Sequence, residues 1–282
     1  MSGRGPLISI LMAVYNAPPS YLDAAVDSIL AQSLTDFECI IVDDGSGVAT
    51  GDRLRMWADR DHRIRLHKLP ANVGLTKALN AGLKLARGDY LARQDADDIS
   101  GPHRLASQLE FLSLHPEIDA VGTDAILIDA GGNKIGDMEI DPDLKELSRR
   151  NLLVHGSMLF RRHVFDLLGG YNERMQLSQD YELYLRMLRL HGMRISVLPE
   201  AHYRLRQHPA SLSSRRMFRQ LYYSVMAKSL TELNKSRFRR ELGFWRNLIV
   251  DFFFTHRLFL GPVVRSMIQD GKRFCKIGSI ED

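Results

Sequence analysis

Cysteine is scarce: the 282 residues include two, Cys39 and Cys275. A disulfide-stapled scaffold and a four-cysteine zinc site are therefore excluded. Cys39 lies in Glu38-Cys-Ile-Ile-Val-Asp43, a short apolar run that reads as a buried strand, so its thiol is expected in the core. Long apolar runs are also missing. No stretch of about 18 apolar residues occurs, so no spanning helix is expected. The opening Met1-Ser-Gly-Arg-Gly-Pro6 has neither the charged nor the apolar region of a secretory leader. A reduced, cytoplasmic setting is the expectation.

Two phosphate-binding signatures are absent as well. The first apolar run is followed by Tyr15-Asn-Ala-Pro-Pro19, where a dinucleotide site carries Gly-x-Gly-x-x-Gly, and no Walker lysine motif occurs. This argues against an NAD enzyme and against a P-loop phosphotransferase. A diphosphate on this chain would need a metal to neutralise it. Net charge is small, at +4, but it hides an asymmetry. Residues 1–200 carry 22 Lys and Arg against 28 Asp and Glu, whereas residues 201–282 carry 16 against 6. No nucleic-acid-binding motif accompanies the basic end, so nucleic acid is not an expected partner.

What is present is enough to fold: 45% apolar and 26% charged residues exclude disorder. Apolar runs at 7–14, 37–42, 64–67 and 90–93 read as buried strands, and the segments between them show helical spacing. Ser20 is placed to cap the first helix. Alternation of this kind predicts parallel βαβ units. Further on, 120–128 and 134–140 flank Asp129-Ala-Gly-Gly-Asn133 as a hairpin. A strand is expected at 157–160, a helix over 179–191 and a strand at 194–198. The last 80 residues read as helical and basic.

In such sheets ligands bind beyond the carboxyl ends of the strands. Three polar clusters fall there: Ala13-Val-Tyr-Asn16, Asp43-Asp-Gly-Ser46 and Asp95-Ala-Asp-Asp98. Asp44 can accept hydrogen bonds from a base edge, and Tyr15 can stack on or border a base, although the Asp43 cluster also reads as a plain turn. Asp95, Asp97 and Asp98 offer hard oxygen ligands suited to Mg²⁺ or Mn²⁺, and equally read as a solvated acidic loop.

Taken in order, Leu7-Ile-Ser-Ile-Leu-Met-Ala-Val-Tyr-Asn16, Ile41-Val-Asp-Asp-Gly-Ser46, Asn72-Val-Gly-Leu75 and Ala92-Arg-Gln-Asp-Ala-Asp-Asp-Ile-Ser100 resemble glycosyltransferase family 2. The resemblance spans residues 6 to 210. It implies an α/β protein of the GT-A fold, with a mostly parallel, Rossmann-like sheet flanked by helices. Residues 1–210 would form the catalytic domain, with a nucleotide-binding part at about 6–100 and an acceptor part at about 101–210. Residues 211–282 would form a helical, basic extension. The implied activity is inverting transfer of a sugar from a nucleotide sugar, UDP-linked in this reading, to a glycan or lipid-linked acceptor in cell-surface polysaccharide synthesis.

The same resemblance implies residue roles. Ala13 and Tyr15 line the base pocket, Asp44 contacts the nucleobase, and Asp95 lies near the ribose and sugar. Arg93 and Lys77 are candidates to reach the donor. Asp97 ligates Mn²⁺ or Mg²⁺ through the donor diphosphate, and His208 is a candidate to complete the metal shell. Arg204 or Arg206 is a candidate phosphate ligand. Within Ser178-Gln-Asp-Tyr-Glu-Leu183, Asp180 is the candidate base. From the residues alone it reads as a first-turn helix acid favoured by the macrodipole. Gly169-Gly-Tyr171 resembles an acceptor-side loop, and His155 is either acceptor-facing or structural.

Two other readings compete. A sugar nucleotidyltransferase would share the metal and the nucleotide but normally carries a basic, glycine-rich loop after the first strand. A non-catalytic binding module docked on a membrane would leave the intact aspartates unexplained. Apolar segments 247–254 and 258–264, flanked by Arg and Lys, suit peripheral contact with the inner face of the cell membrane, assembly with another copy, or packing on the sheet. Trp57 and Trp245 are expected in packing roles.

Overall fold

The computed structural model describes residues 5–140, 144–148, 150–207 and 217–232. Its first half is the expected alternation: β1 (Ile8–Val14), α1 (Pro19–Leu30), β2 (Phe37–Asp43), α2 (Val48–Arg60), β3 (Ile64–Lys68), α3 (Leu75–Leu85) and β4 (Tyr90–Arg93). There follow β5 (Ile99–Ser100), α4 (Arg104–Leu114), β6 (Ala120–Ile128), β7 (Lys134–Met138) and α5 (Leu144–Leu147). A 3₁₀ turn at His155–Ser157 leads to β8 (Leu159–Arg161), α6 (Arg162–Leu168) and α7 (Gln179–Leu185). A π turn at Arg186–Leu190 extends α7, and β9 (Ile195–Arg206) and α8 (Met217–Glu232) complete the described chain.

One nine-stranded sheet runs β3-β2-β1-β4-β8-β6-β9-β5, with β7 paired to β6. The pairs β1·β2, β1·β4 and β2·β3 are parallel. Beyond β4 the sheet is mixed: β8 is antiparallel to β4 and β6, and β6 pairs β9 in parallel. The chain moves outward from β1 to β3, then crosses back to β4 on the other side of β1. The crevice at the carboxyl ends of β1 and β4 is thus the switch point where open α/β sheets take ligands.

Residues alternate between the two faces of the sheet, as a period of two requires. Leu11, Ile40, Val42 and Leu91 join α3 residues Ala78 and Leu79 in one core, and α7 supplies Leu183 and Tyr184 to it. Ile8, Ile10, Met12, Cys39 and Ile41 form the other core with Leu22, Ile29, Leu54, Trp57 and Leu105 from α1, α2 and α4. Cys39 is fully buried, and its thiol is pushed up to about 12 by that burial. Trp57 packs in the core and donates its indole N–H to Asp23 Oδ1 at 2.8 Å.

Two local expectations change. Ser20 does not cap α1: the helix starts at Pro19, one residue earlier, and no side chain caps it. Proline suits that first position, because its missing N–H has no intrahelical partner there. The expected strand at 194–198 instead runs to Arg206, with a register shift against β6 between Thr123 and Ala125. Pro199, which cannot donate to a ladder, lies in the part of β9 skipped by that shift. The compact unit extends through Thr231, past residue 210. Helix α8 packs on α7 there, with Ser224 Oγ 3.1 Å from Ser178 Oγ and Lys228 above the Tyr181 ring. His208, Trp245, Cys275 and most of the 211–282 extension lie outside the described residues. Among the described residues, no helix is long and apolar enough to cross a membrane.

Candidate active site

The rim begins where β1 and β2 end. Tyr15 is 54% exposed, and Ala13 is half-buried beside Val42. Asn16 takes the left-handed conformation at φ 48°, which asparagine tolerates better than most residues. Its N–H donates to Ser46 Oγ at 3.0 Å, and its Oδ1 accepts the Gly47 N–H at 2.9 Å. The Asp44 carboxylate is buried and accepts three hydrogen bonds. Val73 N–H reaches Oδ1 at 2.7 Å, and Asn72 Nδ2 and Gly74 N–H each reach Oδ2 at 2.9 Å. Asp44 therefore binds the 72–74 loop to the rim, which accounts for the Asn72-Val-Gly motif. A carboxylate has about four acceptor positions, so little capacity is left for a base edge.

The second cluster divides by burial. Asp95 and Asp97 are half-buried, while Asp98 is 2% exposed and turned inward. Asp98 Oδ1 accepts the Arg206 N–H at 2.7 Å, and the Tyr203 hydroxyl also donates to its carboxylate. Burial, followed by the charges of Asp95 and Asp97, pushes the Asp98 carboxyl well above the usual range. Arg206, a candidate phosphate ligand by resemblance, is instead buried: Nε donates to the Asp97 carbonyl at 2.7 Å and Nη1 to the carbonyls of Asp129 and Ala130 at 3.1 Å. Arg93, expected at the donor, is likewise 2% exposed, bonding the Leu11 and Gln94 carbonyls and pairing with Asp95. Both guanidiniums spend their donors on backbone carbonyls, and Arg93 reaches the rim through its pair with Asp95.

The three aspartates do not present themselves together, then, and among the described residues no three His, Cys, Asp or Glu side chains are disposed to hold a metal. The remaining donor set is the carboxylate oxygens of Asp97, with Asp95 close by. That fits Mg²⁺ or Mn²⁺, which take one or two protein carboxylates and fill the shell with phosphate oxygens and water.

Strand β9 holds this turn from beneath. The Asp95 N–H donates to the fully buried Tyr203 hydroxyl at 3.2 Å, and the Arg104 guanidinium sits 5.5 Å over the same ring. Arg104, fully buried, is lowered to about 10 by its burial. Gly156 lies against this group. A Cβ there would overlap the Tyr203 hydroxyl and come within 3.0 Å of Asp95 Oδ2. Gly156→Ala is therefore expected to cost about 1–3 kcal/mol in urea denaturation, the usual cost of overpacking. Unchanged stability would show that the Asp95 turn gives way freely.

The third group stands on the acceptor half. Asp180 opens α7, after Ser178 in the left-handed conformation at φ 55°. Its Oδ2 accepts Asn151 Nδ2 at 2.8 Å. Burial raises its pKa above the usual carboxylate range, and the charge of Asp95 adds to the rise. Asp180 also acts on Tyr171 and Tyr184, as does Asp95, so both carboxylates belong to one electrostatic neighbourhood. His155 lies buried between those tyrosines, with Nδ1 2.6 Å from the Tyr184 hydroxyl and Nε2 2.9 Å from the Tyr171 hydroxyl. Burial, then the Arg93 charge, holds it well below its usual pKa. A neutral ring donates once and accepts once, so both nitrogens are occupied and the structural reading of His155 holds.

The Gly169–Gly170 loop is set by the same helix. Arg186 donates to the carbonyls of Leu168 and Gly170 at 2.8 Å each and to Glu182. Gly170 has φ 95°, and a Cβ there would come within 2.8 Å of Asn80 Oδ1. Lys77 and Arg204 are exposed. Asn151, Gly156 and Tyr203 escape sequence reasoning, because their partners lie far away in the chain. Among the described residues, the two left-handed non-glycine positions, Asn16 and Ser178, both flank the site, as strained backbone often does. A cavity of about 510 Å³ lined by Phe37, Glu38, Arg65 and Arg87 lies away from these carboxylates.

Comparison with known proteins gives concordant findings. The model of Glycosyl transferase family 2 matches residues 9–168. An uncharacterized glycosyltransferase of Methanocaldococcus jannaschii is 31% identical over 251 residues, covering 86% of this chain and 84% of the relative. The O-antigen biosynthesis glycosyltransferase WbnJ of Escherichia coli is 30% identical, covering 82% of this chain and 90% of the relative. TarS of S. aureus in complex with UDP-GlcNAc superposes at a TM-score of 0.63 with 18% identity, over 82% of this chain and 69% of that one. The mannosyltransferase PcManGT of Pyrobaculum calidifontis, in complex with GDP-Man and Mn²⁺, also gives 0.63 with 20% identity, over 82% and 66%.

Proposed function

The chain belongs to glycosyltransferase family 2, and from that premise we propose that it moves a sugar from a UDP-sugar to a hydroxyl of a glycan or lipid-linked acceptor, inverting the anomeric carbon. The observation that carries this reading is the electrostatic proximity of Asp95, a half-buried carboxylate at the switch point two residues before half-buried Asp97, to Asp180, a half-buried carboxylate on the acceptor half whose ionisation burial opposes. Tyr15 borders the base, and Asp44 holds the loop beside it. Asp97 holds Mn²⁺ or Mg²⁺, which when bound supplies positive charge to the departing diphosphate. Asp95, fixed by Arg93 and Tyr203, faces the ribose and sugar. Asp180 takes the proton of the acceptor hydroxyl as that oxygen attacks the anomeric carbon, and no covalent intermediate is needed.

WbnJ acts in O-antigen biosynthesis, which supports a surface polysaccharide as the product. UDP-GlcNAc and GDP-Man with Mn²⁺ in the solved relatives support a nucleotide-sugar donor with a divalent metal. The proposed place of action is the cytoplasmic face of the cell membrane, with the basic extension as the contact.

The test is a thermal-shift screen of UDP-glucose, UDP-galactose, UDP-GlcNAc and GDP-mannose with and without Mn²⁺, followed by product analysis. A UDP-sugar is expected to raise the melting temperature in a Mn²⁺-dependent manner and to release UDP, not pyrophosphate. Stabilisation by GDP-mannose alone would overturn the UDP assignment. Pyrophosphate release would overturn the transferase reading.

A further inference from the structure

Asp180 is a carboxylate that must stay ionised where burial and the Asp95 charge both oppose ionisation. Among the described residues, the groups around it supply little positive charge. On its own helix, Glu182 is paired with Arg186, whose remaining donors go to the Leu168 and Gly170 carbonyls. Tyr184 and Tyr171 are neutral and bonded to neutral His155. Arg93 is paired with Asp95. From α8, Lys228 lies over the Tyr181 ring. Arg150, beside the 151–153 segment, is paired with Glu146. The ionised form must therefore be held by hydrogen bonds. The backbone N–H groups of Tyr181 and Asp180 contribute, and Asn151 is the side-chain donor to Asp180 among the described residues.

The Asn151 amide is oriented for that task. Its Oδ1 accepts the Leu153 N–H at 3.3 Å, which fixes which end of the amide faces Asp180 and leaves Nδ2 pointing at the carboxylate. Asn151 itself is exposed and packs in no core, so its contacts point to the site and not to the fold.

We propose that Asn151 is the positioning residue of the base: its amide fixes Oδ2 of Asp180, so that Oδ1 is the oxygen that takes the acceptor proton. This rests on the reading of Asp180 as the base. The hydrogen bond lowers the cost of ionising a desolvated carboxylate and also locks its rotation. Asn151→Ala removes the donor. Asn151→Asp removes it and sets a second carboxylate against the first.

The test is a carbon-13 titration of the Asp180 carboxyl in the full chain labelled at aspartate, with the resonance assigned by its loss in Asp180→Asn. The Asp180 midpoint is expected to rise by about 0.5–1 pH unit in Asn151→Ala and by roughly 1 unit or more in Asn151→Asp. Release of UDP from the stabilising UDP-sugar, with Mn²⁺ and with water as acceptor, should fall about tenfold in kcat for Asn151→Ala, with the donor KM within about twofold. An Asp180 midpoint unmoved in both variants overturns the inference. A normal rate in Asp180→Asn overturns the base reading itself, whatever the titrations show. An inactive Asp180→Asn with unmoved Asn151 titrations removes the positioning role alone.

Discussion

Asp180→Asn is expected to lower sugar transfer by about 10²–10⁴-fold while donor binding stays within about twofold, the range for losing a positioned base. The substitution is close to isosteric. The amide oxygen still accepts from Asn151, so α7 and its packing on α8 remain. What is lost is the proton acceptor. Burial has raised this carboxyl, which moves it toward the proton affinity that a base working near neutrality requires. The competing account makes Asp180 a first-turn acid that complements the helix dipole. On that account the substitution would cost about 0.3–1 kcal/mol of stability and leave turnover intact. UDP release and the Mn²⁺-dependent thermal shift, measured on the same preparation, separate the two. Turnover within about threefold of the unmodified chain would remove Asp180 from the chemistry.

The parallel half of the sheet is legible because strands buried on both faces leave short, mostly apolar runs, as at Ile8–Val14 and, between Glu38 and Asp43, along β2. The polar clusters at their ends then mark the rim. Strand β9 is not legible in the same way. Its second part, Tyr203–Arg206, buries Tyr203 and Arg206 and exposes Arg204, so no apolar alternation marks it, and its strand character depends on pairing with β6 and with the two residues of β5. The charged residues mislead for a related reason. A sequence displays guanidiniums but not the groups they bond, so Arg93 and Arg206 read as ligand contacts, while in the structure they donate to the carbonyls of Leu11, Gln94 and Asp97. His155 shows the same effect, since its partners Tyr171 and Tyr184 lie 16 and 29 residues away. The division of Asp95, Asp97 and Asp98 into two rim carboxylates and one buried one follows from the approach of Tyr203 and Arg206, which no spacing rule encodes.

That division makes a sharp test of the metal assignment. Asp97→Ala is expected to abolish the Mn²⁺-dependent part of donor binding and leave the fold intact. The turn is held at Asp97 through its backbone carbonyl by Arg206, and at Asp95 and Asp98 by Tyr203 and the Arg206 N–H, so truncating the Asp97 side chain leaves those bonds in place. A donor at about 100 times its dissociation constant stabilises a chain by roughly 2.7 kcal/mol. For a chain of this size that is a rise in melting temperature of roughly 5–10 °C. Removing Asp97 should reduce the Mn²⁺-dependent part of that rise to about 1 °C or less. Asp98→Ala should behave in the opposite way. Loss of a buried carboxyl bonded to Arg206 and Tyr203 should lower the melting temperature of the free chain, while the response of the folded fraction to Mn²⁺ and donor persists. If Asp97→Ala keeps the full Mn²⁺-dependent shift and Asp98→Ala loses it, the metal ligand is the inward aspartate and the rim assignment fails.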